Sequence, residues 1–473
     1  MPIVEFQAGT LRLAGFSRSL LVERLGGLPI RFDPRDGGFR CDAMWFGEVS
    51  RRLAPELPGG DTIRWQVEPP RKRPLSASFS DRRTIRLRDD QRRAVADFEA
   101  GDRRGLLVLP TGTGKTVIAI ELILRHADSV LVVVPVRDLM YQWHEKIRQA
   151  TGLDAGLIGD GVYRVSPISV TTYDSAAIHM PRIGNRFSMI VFDEVHHLSG
   201  SWRSDAARMS IATTRLGLTA TLPSSPERLA VLEQCVGPVL HHQTIQEAAG
   251  RTLADYTVRR IAVKLTEAEE RSYRQLSAVV QNFVYDQRQI DESFRWEDVH
   301  KLVAAASEDP ERATEARAAV QAFRAKRKIE EHAEGKLRVL EDLFRLHADA
   351  PVIVFTGSNV MARKVSLRFM VPCLLSHCAK KERREYLEGF AAGRYPVLVA
   401  NRVLDEGVDL PEVKTAIVLG GLSSGRQAIQ RLGRVLRKSN DADATFYEVV
   451  VEGTSEVERS RARRRNDAYR KPS

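Results

Sequence analysis

The chain has 473 residues, 43% of them hydrophobic and 28% charged, the balance of an ordinary globular protein built from about three domains. The longest apolar runs, Leu131–Val136 and Met189–Phe192, fall far short of the ~20 residues that span a bilayer, and the first ten residues carry no secretory signal pattern. Four cysteines make no disulfide framework, so the expected compartment is the reducing cytoplasm. Lys+Arg outnumber Asp+Glu 72 to 61, a net +11 that hints at a polyanionic partner.

Residues 1–75 read as a small α+β unit. Short alternating runs (Thr10–Leu13, Pro29–Phe32) precede an amphipathic helix over Phe46–Leu53. Pro69–Pro74 reads as a linker. From Leu87 to His242, short apolar runs bounded by Gly or Pro alternate with helical stretches. Gly105–Leu109, Val130–Val134, Ile168–Thr171 and Met189–Phe192 have the pattern of buried parallel strands. A second series follows: Val352–Phe355, Val397–Ala400, Ala416–Leu419 and Thr445–Val450. The expected fold class is α/β, with two tandem doubly wound sheets and a cleft between them.

Between the two series, Thr257–Leu265 alternates like a strand. Thr266–Gly335 is polar and helix-forming, with 15 acids against 11 bases, as in an inserted helical hairpin. The expected divisions are 1–75, 76–245, 246–458 with the insertion 266–335, and a basic tail 459–473. The tail holds seven bases and the single acid Asp467, so it supplies most of the net charge, either as a tether for a polyanion or as a solvated end.

The sharpest motif is Leu109-Pro110-Thr111-Gly112-Thr113-Gly114-Lys115-Thr116, which follows a strand and opens a helix. Small residues let backbone N–H groups approach phosphates, and the helix N-terminus favours the anion. Thr111, Gly112, Thr113 and Gly114 then cradle ATP, Lys115 reaches its outer phosphates and the Thr116 hydroxyl helps hold Mg²⁺. Leu109 stands where the general phosphate-loop pattern has Gly. The buried run Met189–Phe192 ends in Asp193-Glu194-Val195-His196. An acid at a strand's carboxyl end can hold Mg²⁺ through water and its neighbour can deprotonate the attacking water, so Asp193 is assigned to the metal and Glu194 to the base.

Together these motifs resemble those of superfamily 2 helicases, and the resemblance extends over most of residues 87–450. It makes Gln91 the adenine-reading residue. It makes Pro135–Leu139 with Gln142-Trp143 and Thr171-Thr172-Tyr173 the strand-gripping motifs, with Arg137, Gln142, Thr171 and Thr172 on DNA. Thr219-Ala220-Thr221 and His196 become the elements that couple hydrolysis to movement. Asp405–Pro411, with Gly407 and Asp409 at the nucleotide, and Gln430–Arg437 complete the set, Gln430 among the coupling residues. Arg434 and Arg437 lie three apart, on one helical face, and act as arginine fingers from the second domain.

Gly9-Thr10-Leu11, Leu28–Arg35, Phe39–Ala43 and Phe46–Val49 further resemble the N-terminal domain of XPB-like helicases, a module regarded as damage- or duplex-recognising. The insertion sits where that family carries a thumb-like element, in which Arg324–Lys328 is the dense basic patch. The family's strand-separating Arg-Glu-Asp tripeptide is not found; Pro226-Glu227-Arg228 lies near its place. The resemblance implies an ATP- and Mg²⁺-dependent 3′→5′ DNA helicase acting in repair. Two other readings stand beside it: a duplex translocase that does not separate strands, and an ATP-switched recruitment module for a nuclease partner. Cys373, His377 and Cys378 cluster without a fourth ligand and are read as core residues.

Overall fold

The computed structural model describes residues 1–54, 62–67, 85–200, 202–249, 251–253, 256–305, 309–375, 377–401, 413–420 and 444–464. The 69–74 linker and the motifs at 405–411 and 430–437 lie outside them. The chain forms two compact units that divide after Ala248.

In the first unit, strands β1 (Ile3–Gln7), β2 (Thr10–Ala14), β3 (Arg31–Asp33), β4 (Gly38–Asp42) and β5 (Arg64–Gln66) form a sheet in the order β3-β4-β2-β1-β5. The β1–β2 hairpin turns through Ala8 and Gly9, both at positive φ, as a tight two-residue hairpin requires. Its tip is seated on the neighbouring sheet's connections, since a Cβ on Gly9 would come within 2.6 Å of the Met209 side chain. Helices α1 (Arg18–Leu25) and α2 (Phe46–Leu53) bury Leu21, Leu25, Val49 and Leu53 against Val4, Leu11 and Leu13. Ile211, from the larger part of the unit, completes this core.

That larger part is an eight-stranded sheet: β6 (Arg104–Val108), β7 (Val130–Val134), β8 (Gly156–Gly159), β9 (Val162–Tyr163), β10 (Ile168–Thr172), β11 (Met189–Asp193), β12 (Thr214–Thr219) and β13 (Val239–His242). The order is β13-β6-β12-β11-β7-β10-β8-β9, parallel except for the β8–β9 hairpin. Its strands read as continuous Val/Ile/Leu runs because both faces are covered. The helices are α3 (Asp89–Ala100), α4 (Lys115–His126), α5 (Arg137–Thr151), α6 (Tyr173–Ile183), α7 (Asp205–Arg208), α8 (Pro226–Cys235) and α9 (Ile245–Ala248). Pro226 occupies the first turn of α8, where its missing N–H costs nothing, and the Ser225 hydroxyl accepts from Arg228 N. Pro226-Glu227-Arg228 is therefore a capped helix start.

In the second unit, β14 (Tyr256–Val263), β15 (Val352–Thr356), β16 (Cys373–Leu374), β17 (Val397–Ala400), β18 (Thr415–Leu419) and β19 (Ala444–Val451) form a parallel sheet in the order β14-β19-β18-β15-β17-β16. The alternating run at 257–265 is thus this sheet's edge strand, paired along its length with β19. The insertion is α10 (Glu267–Ile290), α11 (Val299–Ala304) and α12 (Pro310–His332). α10 starts in a reciprocal cap, Glu269 N to Thr266 Oγ1 and Thr266 N to Glu269 Oε2. Ala313, Ala316, Ala319 and Ala322 are buried on α12, small enough for α10 and α12 to pack closely. Lys326 and Arg327 of the basic patch lie over aromatic rings, Lys326 over Tyr273 and Arg327 over Phe323. α13 (Glu334–Leu346), α14 (Asn359–Phe369) and α15 (Lys380–Ala391) follow.

The basic tail does not begin as a solvated end at 459. Helix α16 spans Ser455–Arg464. Arg459 pairs with the buried Glu330 carboxylate of α12, and the fully buried Ser460 donates to Glu448 Oε2 at 2.6 Å. Buried carboxylates elsewhere in the chain need these donors, which draws Arg459 and Ser460 into the fold.

Candidate functional site

Strands β6, β12 and β11 are neighbours in that order, so the segments leaving their carboxyl ends converge. β6 leads into the phosphate loop. Gly112 and Gly114 have φ of +91° and +88°, open to glycine at little cost. A side chain at Gly114 would also run into Gln91 Nε2, 2.4 Å from its Cβ position. Gln91 is buried; its amide donates to Thr113 O at 3.0 Å and accepts from Arg88 N, and Arg88 donates to the same Thr113 carbonyl. The expected adenine reader thus braces the phosphate loop. Thr113 is turned inward, its hydroxyl donating to Pro110 O at 2.8 Å, so its side chain shapes the loop and is not presented to a ligand.

Lys115 opens α4. Its Nζ lies 3.4 Å from Leu109 O and 3.5 Å from Glu194 Oε1, the far limit of hydrogen-bond reach, and the ammonium retains donor capacity for an anion. The buried Thr111 Oγ1 has no hydrogen-bond partner among the described residues, and Thr116 sits half-buried in the first turn of α4. Two glycines at the cradle, a helix N-terminus, a lysine at loose distances and an unsatisfied hydroxyl fit a nucleotide phosphate chain and its Mg²⁺.

β11 ends at Asp193. Its Oδ2 accepts Trp143 Nε1–H at 2.8 Å and its Oδ1 accepts Glu194 N–H at 3.0 Å. Burial, and then the Glu194 charge, push the Asp193 carboxyl above the ordinary range, against the opposing pull of Lys115 and these two donors. Glu194 has φ +49° and ψ +54°, left-handed values that cost a non-glycine residue about 1–2 kcal/mol. It stands between Lys115 and His196, whose Nδ1 is 3.6 Å from Glu194 Oε2. β12 ends at Thr219, whose hydroxyl donates to Thr221 O at 2.9 Å, accepts from Thr221 N at 3.2 Å and lies 3.2 Å from His196 Nδ1. With the hydroxyl proton committed to Thr221 O, the imidazole Nδ1–H is the donor in that contact. Lys115, Asp193, Glu194, His196, Thr219 and Thr221 therefore form one connected cluster.

The four expected DNA contacts separate. Arg137 opens α5 with an exposed side chain tied to Asp160 Oδ1 at 2.7 Å, and Gln142 lies half-buried on the same helix. Thr171 is fully buried and its hydroxyl donates to Ile158 O at 2.7 Å; it belongs to a strand covered on both faces and does not reach a ligand. Thr172 is the N-cap of α6, its hydroxyl accepting from Ser175 N. Gly407, Asp409, Gln430, Arg434 and Arg437 lie outside the described residues.

Sequence reasoning assigned no individual role to Trp143, Tyr173, Arg88 or Arg215, although Trp143 and Tyr173 stand in the strand-gripping motifs. Trp143 sits with Met140 and Ile147 on the buried face of α5, a spacing that reads as core and hides the indole donor. Arg215 is fully buried with no carboxylate partner among the described residues: its guanidinium donates to the carbonyls of Ala207, Ser210, Ala212 and Cys235 and fixes the connection into β12. Burial lowers its pKa to about 9.

Residues 84–224 match the family model for the type III restriction enzyme res subunit, and residues 335–439 the helicase conserved C-terminal domain. The chain is 37% identical over 380 residues to DNA 3'-5' translocase XPB2 of Sulfurisphaera tokodaii, covering 80% of this chain and 85% of the relative. It is 27% identical to a putative DNA 3'-5' helicase Rad25 of Halobacterium salinarum, over 80% of this chain and 56% of that protein. The fold matches the crystal structure of the Pyrococcus furiosus Hef helicase domain, with a TM-score of 0.53 at 18% identity over 81% of this chain and 99% of that one. The two parallel sheets are RecA-like, and the chain belongs to the XPB family of superfamily 2 helicases.

Proposed function

We propose that the chain is an ATP-driven DNA motor of 3′→5′ polarity that serves DNA repair. The observation that carries this reading is the continuous path from Lys115 through Glu194 and His196 to Thr219, which joins the hydrolytic acid to the element leaving the next strand. Gly112 and Gly114 give the phosphates close backbone approach, and Lys115 balances their charge. Thr116 and Asp193 would hold Mg²⁺, which would supply neutralisation of the phosphate charge. Glu194 takes the proton of the attacking water, with the Lys115 ammonium 3.5 Å from its Oε1. Gly407 and Asp409 contribute to the nucleotide site, and Arg434 and Arg437 stabilise charge developing on the γ-phosphate. Gln430, with His196, Thr219 and Thr221, couples the reaction to movement. Arg137 and Gln142 hold the DNA backbone, and a nuclease partner uses the opened strand.

A second reading, translocation along duplex without strand separation, is favoured by the helix start at Pro226-Glu227-Arg228 in place of an Arg-Glu-Asp element, and by the translocase activity in the relative's name. ATPase is measured with single-stranded DNA, duplex DNA and RNA, alongside unwinding of 3′-tailed, 5′-tailed and blunt duplexes and displacement of a triplex-forming strand. Unwinding of 3′-tailed duplex supports the helicase. Duplex-stimulated ATPase with triplex displacement but no unwinding selects the translocase. ATPase indifferent to every nucleic acid overturns both.

A further inference from the structure

Two separate helices each send a buried aromatic donor to the same residue. α5, which opens with Arg137, carries Trp143; this side chain is 1% exposed and donates from Nε1 to Asp193 Oδ2 at 2.8 Å. α6, which follows Thr171-Thr172, opens with the fully buried Tyr173, whose hydroxyl donates to the Asp193 main-chain carbonyl at 3.0 Å. The remaining carboxylate oxygen of Asp193 takes the Glu194 N–H at 3.0 Å. Packing alone would be met by Phe or Leu at either position. It does not require that donors from two separate helices converge on one acid.

We propose that Trp143 and Tyr173 are positioning residues that set the Asp193 carboxylate for Mg²⁺, and that Trp143 ties its orientation to α5, so that DNA held by Arg137 and Gln142 on this helix is felt at the metal-holding acid. The coupling half of this rests on the reading of the chain as a DNA-dependent ATPase. The link is short and stiff. The indole ring has no slack between α5 and the carboxylate, and a helix shift of about 1 Å stretches a 2.8 Å bond beyond hydrogen-bond reach. Groups that orient a metal-holding carboxylate typically govern ~10–100-fold in metal affinity or activity.

The test uses the full chain with Trp143→Phe and with Tyr173→Phe, the latter conserving shape. Binding of a fluorescent ADP analogue is titrated with and without Mg²⁺, in the absence of DNA. ATPase stimulation by duplex DNA and DNA affinity are then measured on the same proteins. Mg²⁺-free ADP affinity is expected to match the parent protein, which also certifies a folded site. The Mg²⁺ concentration needed for tight ADP binding rises about tenfold in Trp143→Phe and about threefold in Tyr173→Phe. DNA stimulation falls in Trp143→Phe while DNA affinity holds in both variants. Unchanged Mg²⁺ dependence in both variants overturns the positioning role, and unchanged fold-stimulation by DNA in Trp143→Phe overturns the coupling. If the parent protein itself shows no DNA stimulation, the proposed function fails and takes the coupling half with it, while the Mg²⁺ titration still decides the positioning half.

Discussion

Truncation after Glu458 removes Arg459 and Ser460 from α16, and truncation after Arg464 leaves them in place. In the intact protein the Glu330 carboxylate, 1% exposed, accepts from Tyr273 OH at 2.8 Å and Ser455 Oγ at 2.7 Å and is paired with Arg459. Burial by itself would raise the Glu330 pKa; the Arg459 guanidinium and the two hydroxyls hold it below the ordinary range. Removing one partner of a buried pair costs ~3–5 kcal/mol. Arg459 is 33% exposed, so water screens part of this interaction and a value below that range, about 2 kcal/mol, applies. Loss of the Ser460 donor to the buried Glu448 adds about 1 kcal/mol. About 3 kcal/mol in a unit of this size lowers Tm by roughly 6–12 °C. The Glu330 pKa is depressed in the folded state, so its contribution is complete above the unfolded value of about 4.3 and is lost as pH falls through the folded one. The Tm gap between the two truncations should therefore be full at pH 7 and shrink in acid. Scanning calorimetry at pH 7 and below about pH 4 measures it. Two truncations that melt together within 1 °C at pH 7 would refute the reasoning and return residues 459–464 to the status of a solvated end.

The remaining expectations follow the site. Lys115→Ala abolishes ATP turnover in a steady-state phosphate-release assay. Arg434→Ala keeps nucleotide binding, read by fluorescent ATP analogue titration, but loses hydrolysis; normal turnover would remove the finger assignment. Thr219→Val keeps the β12 main chain and deletes only the hydroxyl shared by His196 and Thr221, so ATPase should persist while strand displacement per ATP falls. Arg137→Ala weakens DNA binding and lowers the salt slope by about 0.9 if one phosphate contact is lost. Thr171→Val leaves DNA affinity unchanged and acts on thermal stability alone, because its hydroxyl is spent on Ile158 O.

Hydrophobic pattern made the buried strands legible to within a residue or two, because parallel strands covered on both faces are unbroken Val, Ile and Leu runs. The order of those strands carries no such signal. Nothing in the composition of β12 says that it lies between β6 and β11. Motif resemblance located Thr171-Thr172 but could not say where each hydroxyl goes; Thr171 is satisfied by Ile158 O and Thr172 by the α6 cap. Net charge misled at 459–464, where it counts Arg459 as solvated while its partner Glu330 is 129 residues away. Trp143 stands beside Gln142 in the same motif, yet periodicity reports only that an indole is buried and not what its N–H meets.

Strand order also explains the one departure in the phosphate loop. Leu109 stands where Gly is usual, yet its side chain is buried in the core and its N–H donates to Thr219 O at 2.8 Å. The position is the last rung of the β6–β12 ladder, so a side chain is accommodated and the cradle proper starts beyond it, at Gly112. The same rung gives Thr219 two attachments. Its carbonyl holds the start of the phosphate loop and its hydroxyl holds His196, two residues beyond Glu194. A change in the loop on phosphate binding or release therefore reaches the acid's own segment through a single residue, over one hydrogen bond on either side. Thr219→Val severs the hydroxyl side and spares the carbonyl side, which is why that substitution should divide coupling from nucleotide binding where Lys115→Ala cannot.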